Sequence, residues 1–327
     1  MKLVLFCPDA STGGPFALYQ LYGALTDLGV PCEVAIYDRA ELAPDGTGVT
    51  LRYAEGFSAM RMVGIEPMVC YRIEAGDVLV FPETLLDMGR SFFEAGFKNN
   101  VVWWLSWDNA PVSALNDFPI KRFLLSCSHI FQSHHALGSA KHYGLDGLIV
   151  SDYTVDAGLD DSTELESKTN DLCYLGRKSR GAESIVRALS SCFSVIEIEA
   201  MSHAEAQATL AKSRFFVDFG KQPGKDRIPR EAVMRNCIPI IRRIGAGACQ
   251  SDFPLPDFLR VPDDVFMSGS GLISLLNELS PKTSEVLDVL SGYRTYVGKE
   301  KLQFYSEIEA FLSTRLNITT ESNASIR

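Results

Sequence analysis

The chain of 327 residues is 46% hydrophobic and 22% charged, a composition that excludes collagen, coiled coil and wholesale disorder. Its formal net charge of -10 argues against a broad electrostatic surface for nucleic acid or anionic lipid. Any anion that the protein binds must therefore be held by a local cluster of cations. The length predicts about two domains.

The cysteines and the first residues of the chain indicate the compartment. The eight cysteines form no CxxC pair and no zinc-ligand spacing, and most lie in apolar runs, as small buried thiols do in a reducing compartment. The apolar run between Lys2 and the first turn residues is too short for the core of a signal peptide. No run reaches the roughly 18 apolar residues that span a membrane. The sequence predicts a cytoplasmic protein.

Short apolar runs alternate with helical patterns along the first half of the chain. Residues 3–7 and 32–38 read as strands, and residues 16–29 between them have apolar side chains at helical spacing. Such a βαβ opening predicts a parallel sheet covered by helices. Further strands are predicted at 49–53, 68–73, 77–81, 101–106, 128–133 and 147–151.

A second alternating series follows a polar stretch at 156–171, which reads as a connector between domains. The predicted domains are an N-terminal Rossmann-like domain at 1–155, a C-terminal one at 170–290, a helix at 291–315 returning to the first domain, and a flexible tail at 316–327. The predicted fold class is α/β, with two doubly wound domains facing a cleft. Ligands of such sheets bind beyond the carboxyl ends of the strands.

A glycine-rich turn follows the first strand. Gly13 and Gly14 allow the backbone to approach a ligand closely, and the start of the next helix presents unpaired N–H groups. These features favour a seat for phosphate or a sugar. An ordinary strand-to-helix turn remains the alternative.

Three cations stand within four residues after the first strand of the second series. They are Arg177, Lys178 and Arg180, in a protein that is acidic overall. Arginine binds a diphosphate through two parallel hydrogen bonds, and a helix N-terminus already favours an anion. A solvated loop remains the alternative interpretation.

The densest group of polar residues lies at 218–232. A strand leads there into a loop with Lys225 and Arg227, and then into a helix that contains Arg230 and Glu231. The carboxylate of Glu231, in the first turn of that helix, is placed to accept hydrogen bonds from sugar or ribose hydroxyls. After the next strand, Gly245 and Ala246 are small enough for close approach to a ligand.

Residues 101–109, with the sequence VVWWLSWDN, read as a buried strand that ends in a polar turn. Trp103 and Trp104 are predicted to face the core, and Trp107 with Asp108 to face the cleft. Asp108 at a strand end can act as a base toward an acceptor hydroxyl, or it can simply form a turn or helix cap. For Glu83, which opens a helical pattern, a helix cap is the favoured interpretation.

The order of these motifs, a GG turn, then GRK, then PGKDRIPREA and GAGA, resembles the GT-B glycosyltransferases. The nearest group is the glycogen synthase-like, family 4-type retaining enzymes and their bacterial polysaccharide relatives. The resemblance covers about residues 1–315. It implies transfer of a sugar from a nucleotide-diphosphate sugar donor to a hydroxyl of a saccharide or lipid-linked acceptor.

The resemblance also implies roles for individual residues. Arg177 matches the arginine of the family's GR motif, with Lys178 or Arg180 in place of its lysine, and Glu231 matches the carboxylate that binds the nucleotide ribose. The predicted donor-binding residues are Gly13, Gly14, Arg177, Lys178, Arg230, Glu231, Gly245 and Ala246, and the predicted catalytic residues are Asp108, Lys225 and Arg227. Because lysine and arginine can neutralise a leaving diphosphate, no metal or other cofactor is expected.

The chain departs from the family pattern at two positions. Pro223 stands where the family has the first glutamate of its E-x7-E motif, and Ser106, Trp107 and Asp108 stand where many members have a histidine. Two alternatives therefore stay open, a sugar-nucleotide epimerase of the same architecture and a non-catalytic nucleotide-sugar-binding partner in polysaccharide assembly. Peripheral contact with a membrane or an assembly complex also stays open, and nucleic acid is not an expected partner.

Overall fold

The computed structural model describes residues 1–154 and 167–319, and the predicted connector at 156–171 and tail at 316–327 lie largely outside them. The chain divides into two compact units. Unit 1 consists of Met1–Asp152 and Lys301–Arg327, and unit 2 consists of Tyr153–Glu300.

The first segment of unit 1 alternates strands and helices as the sequence predicts. Its strands are β1 (Leu3–Cys7), β2 (Cys32–Ile36), β3 (Glu41–Pro44), β4 (Gly48–Arg52), β5 (Arg72–Glu74), β6 (Val78–Pro82), β7 (Asn100–Trp104), β8 (Ser128–Phe131) and β9 (Leu148–Ile149). Its helices are α1 (Gly13–Asp27), α2 (Leu86–Glu94), α3 (Phe118–Leu124) and α4 (His134–Lys141). Six strands form a parallel sheet in the order β2-β1-β6-β7-β8-β9, and β3, β4 and β5 form a small antiparallel sheet.

The central strands of the parallel sheet are apolar along their whole length. Every residue of β1, β6 and β7 is buried, as expected for strands covered on both faces by helices. Phe6 stacks on Phe81 across the β1–β6 pair with ring centroids 4.4 Å apart. The apolar runs in the sequence are therefore the interior of the sheet.

The tryptophans lie in the core of unit 1. Trp103 and Trp104 are fully buried, which confirms that prediction, and the indole of Trp104 donates to Nδ1 of His129 at 3.1 Å. Burial lowers the pKa of His129 to about 4, so this imidazole is neutral and can accept that bond. Trp107 was expected to face the cleft, but it is 8% exposed and packs in the core against Trp104, with ring centroids 5.4 Å apart, so that prediction is wrong.

Unit 2 repeats the alternation with five parallel strands in the order β11-β10-β12-β13-β14. The strands are β10 (Asn170–Leu175), β11 (Val195–Ile198), β12 (Ser213–Asp218), β13 (Ile238–Arg242) and β14 (Arg260–Val261). The helices are α5 (Glu183–Ser190), α6 (His203–Lys212), α7 (Arg227–Met234), α8 (Asp263–Met267), α9 (Ser270–Leu279), α10 (Thr283–Val289) and α11 (Ser291–Gly298). The α/β fold class with parallel sheets is thus confirmed.

The last helix of the described chain, α12 (Glu300–Arg315), belongs to unit 1 from Lys301 onward. The phenol of Tyr305 donates to Asp27 of α1 at 2.5 Å, and Glu307 accepts the N–H of Ser151 at 2.7 Å. Its apolar side chains Phe304, Ile308, Phe311 and Leu312 are buried. None of the helices within residues 1–154 and 167–319 is long and apolar enough to cross a membrane.

Truncation of one of these side chains is expected to weaken unit 1. Ile308→Ala should lower the free energy of unfolding of this unit by about 2–4 kcal/mol, because it leaves a cavity in a fully buried site. All three tryptophans of the chain lie in unit 1, so tryptophan emission during urea unfolding reports on this unit. Leu302→Ala is the control, because Leu302 is 53% exposed. Equal midpoints for the two variants would contradict the prediction.

Candidate functional site

The turns after three neighbouring strands of unit 2 meet at one edge of its sheet. β10 leads into a turn of 3-10 helix at Gly176–Lys178, β12 into the loop 219–226, and β13 into a second such turn at Gly245–Ala248. Because these strands are parallel and adjacent, their carboxyl ends lie at the same edge. That edge is where open α/β sheets bind ligands.

The loop after β12 and the turn after β13 are bonded to each other. The N–H of Ala246 donates to the carbonyl of Gln222 at 2.8 Å, and a β-carbon added at Gly245 would lie 2.4 Å from the carbonyl oxygens of Lys221 and Gln222. Gly245 has a φ of +56°, which favours glycine for a second reason. Both residues predicted here, Gly245 and Ala246, therefore hold the two turns together.

Gln222 fixes the start of the same loop. It is fully buried, its φ is +51°, and its side-chain amide donates to Asp218 at 2.7 Å. Asp218 also accepts the N–H of Gly220 at 2.8 Å. A non-glycine residue in the left-handed region is sustained only where its surroundings over-determine it, as these bonds do.

Lys178 links the turn after β10 to the loop after β12. Its ammonium pairs with the carboxylate of Asp226 and lies 3.7 Å from that of Asp218. Burial lowers the pKa of Lys178, but the two carboxylates outweigh burial and raise it above the ordinary value, so the side chain stays charged. Both carboxylates engage the charge of Lys178, and its role in donor binding stays a prediction.

Lys225 and Arg230 were predicted to contact the ligand, and the structure places both inside unit 2. Lys225 is 3% exposed and Arg230 is fully buried. The carboxylate of Glu300 lies 3.1 Å from the ammonium of Lys225 and 2.7 Å from the guanidinium of Arg230. Burial lowers the pKa of Lys225, but Glu300 more than offsets this and the net shift is upward. We therefore revise both predictions and assign the two cations to the support of the loop.

Glu231, predicted to bind a ribose, lies in α7 and is 6% exposed. One carboxylate oxygen accepts the side-chain amide of Gln207 from α6 at 2.8 Å. The amide oxygen of Gln207 in turn accepts from Arg235 at 3.1 Å. This chain of bonds fixes the orientation of Glu231, and Gln207 is a partner that the sequence did not reveal.

Further cations stand at this edge of the sheet beyond the buried pairs. Arg177, Arg180 and Lys221 are exposed, and within the described residues none of them forms an ion pair. Arg227 is half-buried at the first position of α7. The sequence pointed to Arg177, Arg180 and Arg227, and the structure adds Lys221. Across residues 1–154 and 167–319, no three His, Cys, Asp or Glu side chains are grouped so that they could hold a metal ion.

In unit 1 the predicted glycine pair opens α1 at the carboxyl end of β1. Gly13 is exposed and Gly14 is half-buried, and the side chain of Thr12, the residue before them, makes no capping bond. The first N–H groups of α1 are thus not satisfied by that side chain. Binding of a ligand by Gly13 and Gly14 stays a prediction.

Two carboxyl groups follow β6 and β7 in unit 1. Asp108 is exposed, in a single turn of 3-10 helix after β7, and a catalytic role for it stays a prediction. Glu83 is 3% exposed and accepts the N–H of Leu105 at 2.9 Å, so it bonds to the end of the adjacent strand instead of acting only as a helix cap. Burial raises the pKa of Glu83 to about 7, against the smaller opposing effect of backbone N–H groups.

Comparison with known proteins identifies the fold. No protein-family model matches the chain, and no curated protein matches it in sequence. Among solved structures it is similar to a trehalose-6-phosphate synthase, OtsA, with a TM-score of 0.55, 11% identity, and coverage of 98% of this chain and 100% of that one.

Two further structures give the same result. The first is titled "Trehalose-6-phosphate from E. coli bound with UDP-2-fluoro glucose". It matches with a TM-score of 0.56 and 11% identity, over 98% of this chain and 100% of that one. The second is a UDP-forming α,α-trehalose-phosphate synthase from Burkholderia xenovorans. It matches with a TM-score of 0.55 and 11% identity, over 94% of this chain and 99% of that one. The fold is therefore that of the GT-B glycosyltransferases.

The close contact at Gly245 makes a testable prediction. Gly245→Ala should lower the free energy of unfolding of unit 2 by about 2 kcal/mol or more, because the new methyl group meets two carbonyl oxygens and the φ is positive. Gly292→Ala in α11 is the matched control, since a β-carbon there meets nothing within 4 Å. Amide hydrogen exchange in β12 and β13 measures the effect. Equal protection in the two variants would refute it.

The raised pKa of Glu83 predicts a pH dependence. The folded state keeps this carboxyl protonated up to about pH 7, whereas the unfolded chain releases the proton near pH 4.5. The contribution of protonated Glu83 to the free energy of unfolding is therefore complete below pH 4.5 and is lost as the pH rises through 7. Relative to Glu83→Gln, the wild type should lose roughly 3 kcal/mol of unfolding free energy between pH 4.5 and pH 8, given the shift to about 7.

Urea unfolding followed by tryptophan emission at the two pH values measures this difference. Glu55→Gln, at an exposed position of the same unit, is the control and should run parallel to the wild type. A constant difference between wild type and Glu83→Gln at both pH values would show that Glu83 is ionised in the folded state.

Proposed function

We propose that this protein is a glycosyltransferase that moves a sugar from a nucleoside-diphosphate sugar to a hydroxyl of a saccharide or lipid-linked acceptor. The observation that carries the proposal is the group of exposed cations, Arg177, Arg180 and Lys221, in turns at the carboxyl edge of the unit 2 sheet. In a protein of net charge -10, cations at a ligand-binding edge are best explained by an anionic ligand.

The chemistry of these residues suits a diphosphate. Lys178, Lys225 and Arg230 are already paired with carboxylates. The exposed cations named above and the start of α7 are therefore the groups that we expect to bind phosphate oxygens. A guanidinium such as that of Arg177 binds phosphate through two parallel hydrogen bonds, and a helix N-terminus adds partial positive charge. Arg227 stands at that N-terminus. Fixed positive groups can stabilise the leaving diphosphate without a metal ion.

A nucleoside fits beside the phosphate groups. Glu231, oriented by Gln207, offers carboxylate oxygens to the ribose hydroxyls. The E. coli structure, whose title names UDP-2-fluoro glucose, has the same fold and supports a uridine or related nucleotide as donor. The family 4-type assignment agrees with the position of Glu231 in the PREA motif.

Unit 1 supplies the remaining groups of the proposal. Gly13 and Gly14, at the start of α1, offer N–H groups to the donor, and Asp108, exposed after β7, serves as base toward the acceptor hydroxyl. Glu83 holds the backbone at Leu105 and thereby supports the turn that carries Asp108. Each of these groups follows a strand of the parallel sheet.

Binding of nucleoside diphosphates tests the proposal directly. Arg177→Ala should weaken the affinity for UDP or GDP, measured by calorimetry, about tenfold, because it removes charge-assisted bonds to phosphate. Arg187→Ala is the matched control, since Arg187 is exposed near the end of α5 in the same unit. Equal affinities in Arg177→Ala and the wild type, or no binding by the wild type, would overturn the diphosphate site.

A turnover assay separates the transferase from its alternatives. The transferase releases the nucleoside diphosphate only when a suitable acceptor hydroxyl is present, apart from slow hydrolysis of the donor. An epimerase yields a new sugar nucleotide without any acceptor. The non-catalytic alternative, which the replacement by Pro223 and the burial of Lys225 favour, binds the donor and releases nothing across an acceptor panel.

A further inference from the structure

A buried carboxylate lies behind the loop that carries the proposed phosphate site. Glu300 is 3% exposed and is the last residue of unit 2. Its two oxygens face two cations, Lys225 at 3.1 Å and Arg230 at 2.7 Å, and the side chains of all three residues are at most 2% exposed. A carboxylate so deeply buried is sustained only by such pairing.

The two cations also bond to the backbone and side chains around them. Arg230 donates to the carbonyl of Lys225 at 2.7 Å and to that of Asp226 at 3.2 Å. Lys225 donates to the phenol oxygen of Tyr296 in α11 at 3.0 Å. The guanidinium of Arg230 is therefore fixed on one side by Glu300 and fixes two consecutive carbonyl groups on the other.

These two carbonyls immediately precede α7. A phosphate near the start of a helix is attracted by N–H groups and repelled by carbonyl oxygens. The buried guanidinium of Arg230 binds the carbonyls of Lys225 and Asp226 and thereby fixes the orientation of both peptides just before α7. Loss of these bonds would leave either peptide able to rotate.

The same segment is held on its other side by Lys178, whose ammonium pairs with Asp226. Lys178 follows Arg177 directly and packs against Gly220, where an added β-carbon would lie 2.8 Å from its side chain. The position of Asp226 is thus coupled both to Glu300, through Arg230, and to the turn that carries Arg177. Contacts from Arg230 and from Lys178 therefore converge on Asp226.

We propose that Glu300 is a positioning residue for the donor phosphate site, acting through Lys225 and Arg230 on the loop 220–226 and the first turn of α7. The inference rests on the proposed function, because the phosphate site belongs to it. Glu300 is 3% exposed, so we assign it no direct contact with the donor. Its contribution is to hold the loop in the one conformation that presents positive groups to the ligand.

Glu300→Asp is the decisive variant, because it keeps the buried negative charge and withdraws it by one methylene. Amide hydrogen exchange of residues 220–229 should accelerate about tenfold, since weaker contacts permit local opening, while exchange in β10 and β13 stays unchanged. Affinity for UDP or GDP should fall about tenfold, in line with the loss of pre-organised charge-assisted contacts. Glu278→Asp, on the exposed surface of α9, is the matched control and should change neither readout.

Glu300→Gln, which keeps the shape and removes the charge, is measured in the same way and should have the larger effect. Unchanged exchange at 220–229 in both folded variants would overturn the inference. Loss of the whole fold in both would also overturn it, because Glu300 would then serve the fold and not the loop. Accelerated exchange in a protein whose wild type binds neither UDP nor GDP would refute the proposed function but leave the positioning of the loop intact.

Discussion

The pairing of Glu300 with Lys225 and Arg230 is the interaction on which the loop 219–226 and the start of α7 depend. Transfer of two cations and a carboxylate out of water costs several kcal/mol per ion, and this cost is offset only when the charges meet each other with good geometry. The two cations lie 3.1 and 2.7 Å from the carboxylate, and hydrogen bonds to Tyr296 and to the carbonyls of Lys225 and Asp226 complete their surroundings. Because Lys225 and Arg230 are neutralised inside the unit, the cations exposed at the described edge of the sheet are Arg177, Arg180 and Lys221, with Arg227 half-buried beside them. Lys225 and Arg230 therefore support the site from inside the unit, whereas the exposed cations are available to bind a ligand.

Much of the fold could be predicted from the sequence, because parallel sheets leave a strong pattern of apolar runs. The runs at 3–7 and 238–243 correspond to β1 and β13, and the turns singled out for chemistry do follow strands of the second sheet. The antiparallel strand β3 was not predicted, since Glu41–Pro44 has no buried residue to mark it. The helix expected at 291–315 is two helices, α11 and α12.

The roles of single charges could not be predicted, because they depend on partners far away in the chain. Lys225 and Arg227 are two residues apart and look alike in sequence, yet Lys225 is 3% exposed and paired with Glu300, whereas Arg227 is half-buried at the start of α7. Glu300 lies 70 residues beyond Arg230 in the chain. Glu83 illustrates the same limit, since its partner, the N–H of Leu105, lies 22 residues further along the chain. A local motif identifies the loop, but three-dimensional packing decides which of its cations face inward.

The division of the chain has a consequence for synthesis on the ribosome. Unit 2 is a continuous segment, whereas unit 1 needs α12 from the far end of the chain to cover Asp27 and Ser151. Unit 2 can therefore fold before α12 has been synthesised, while unit 1 still lacks that helix. During that interval the apolar surface that later receives Phe304 and Ile308 is open to water, and this nascent state is the one most exposed to aggregation and to capture by chaperones.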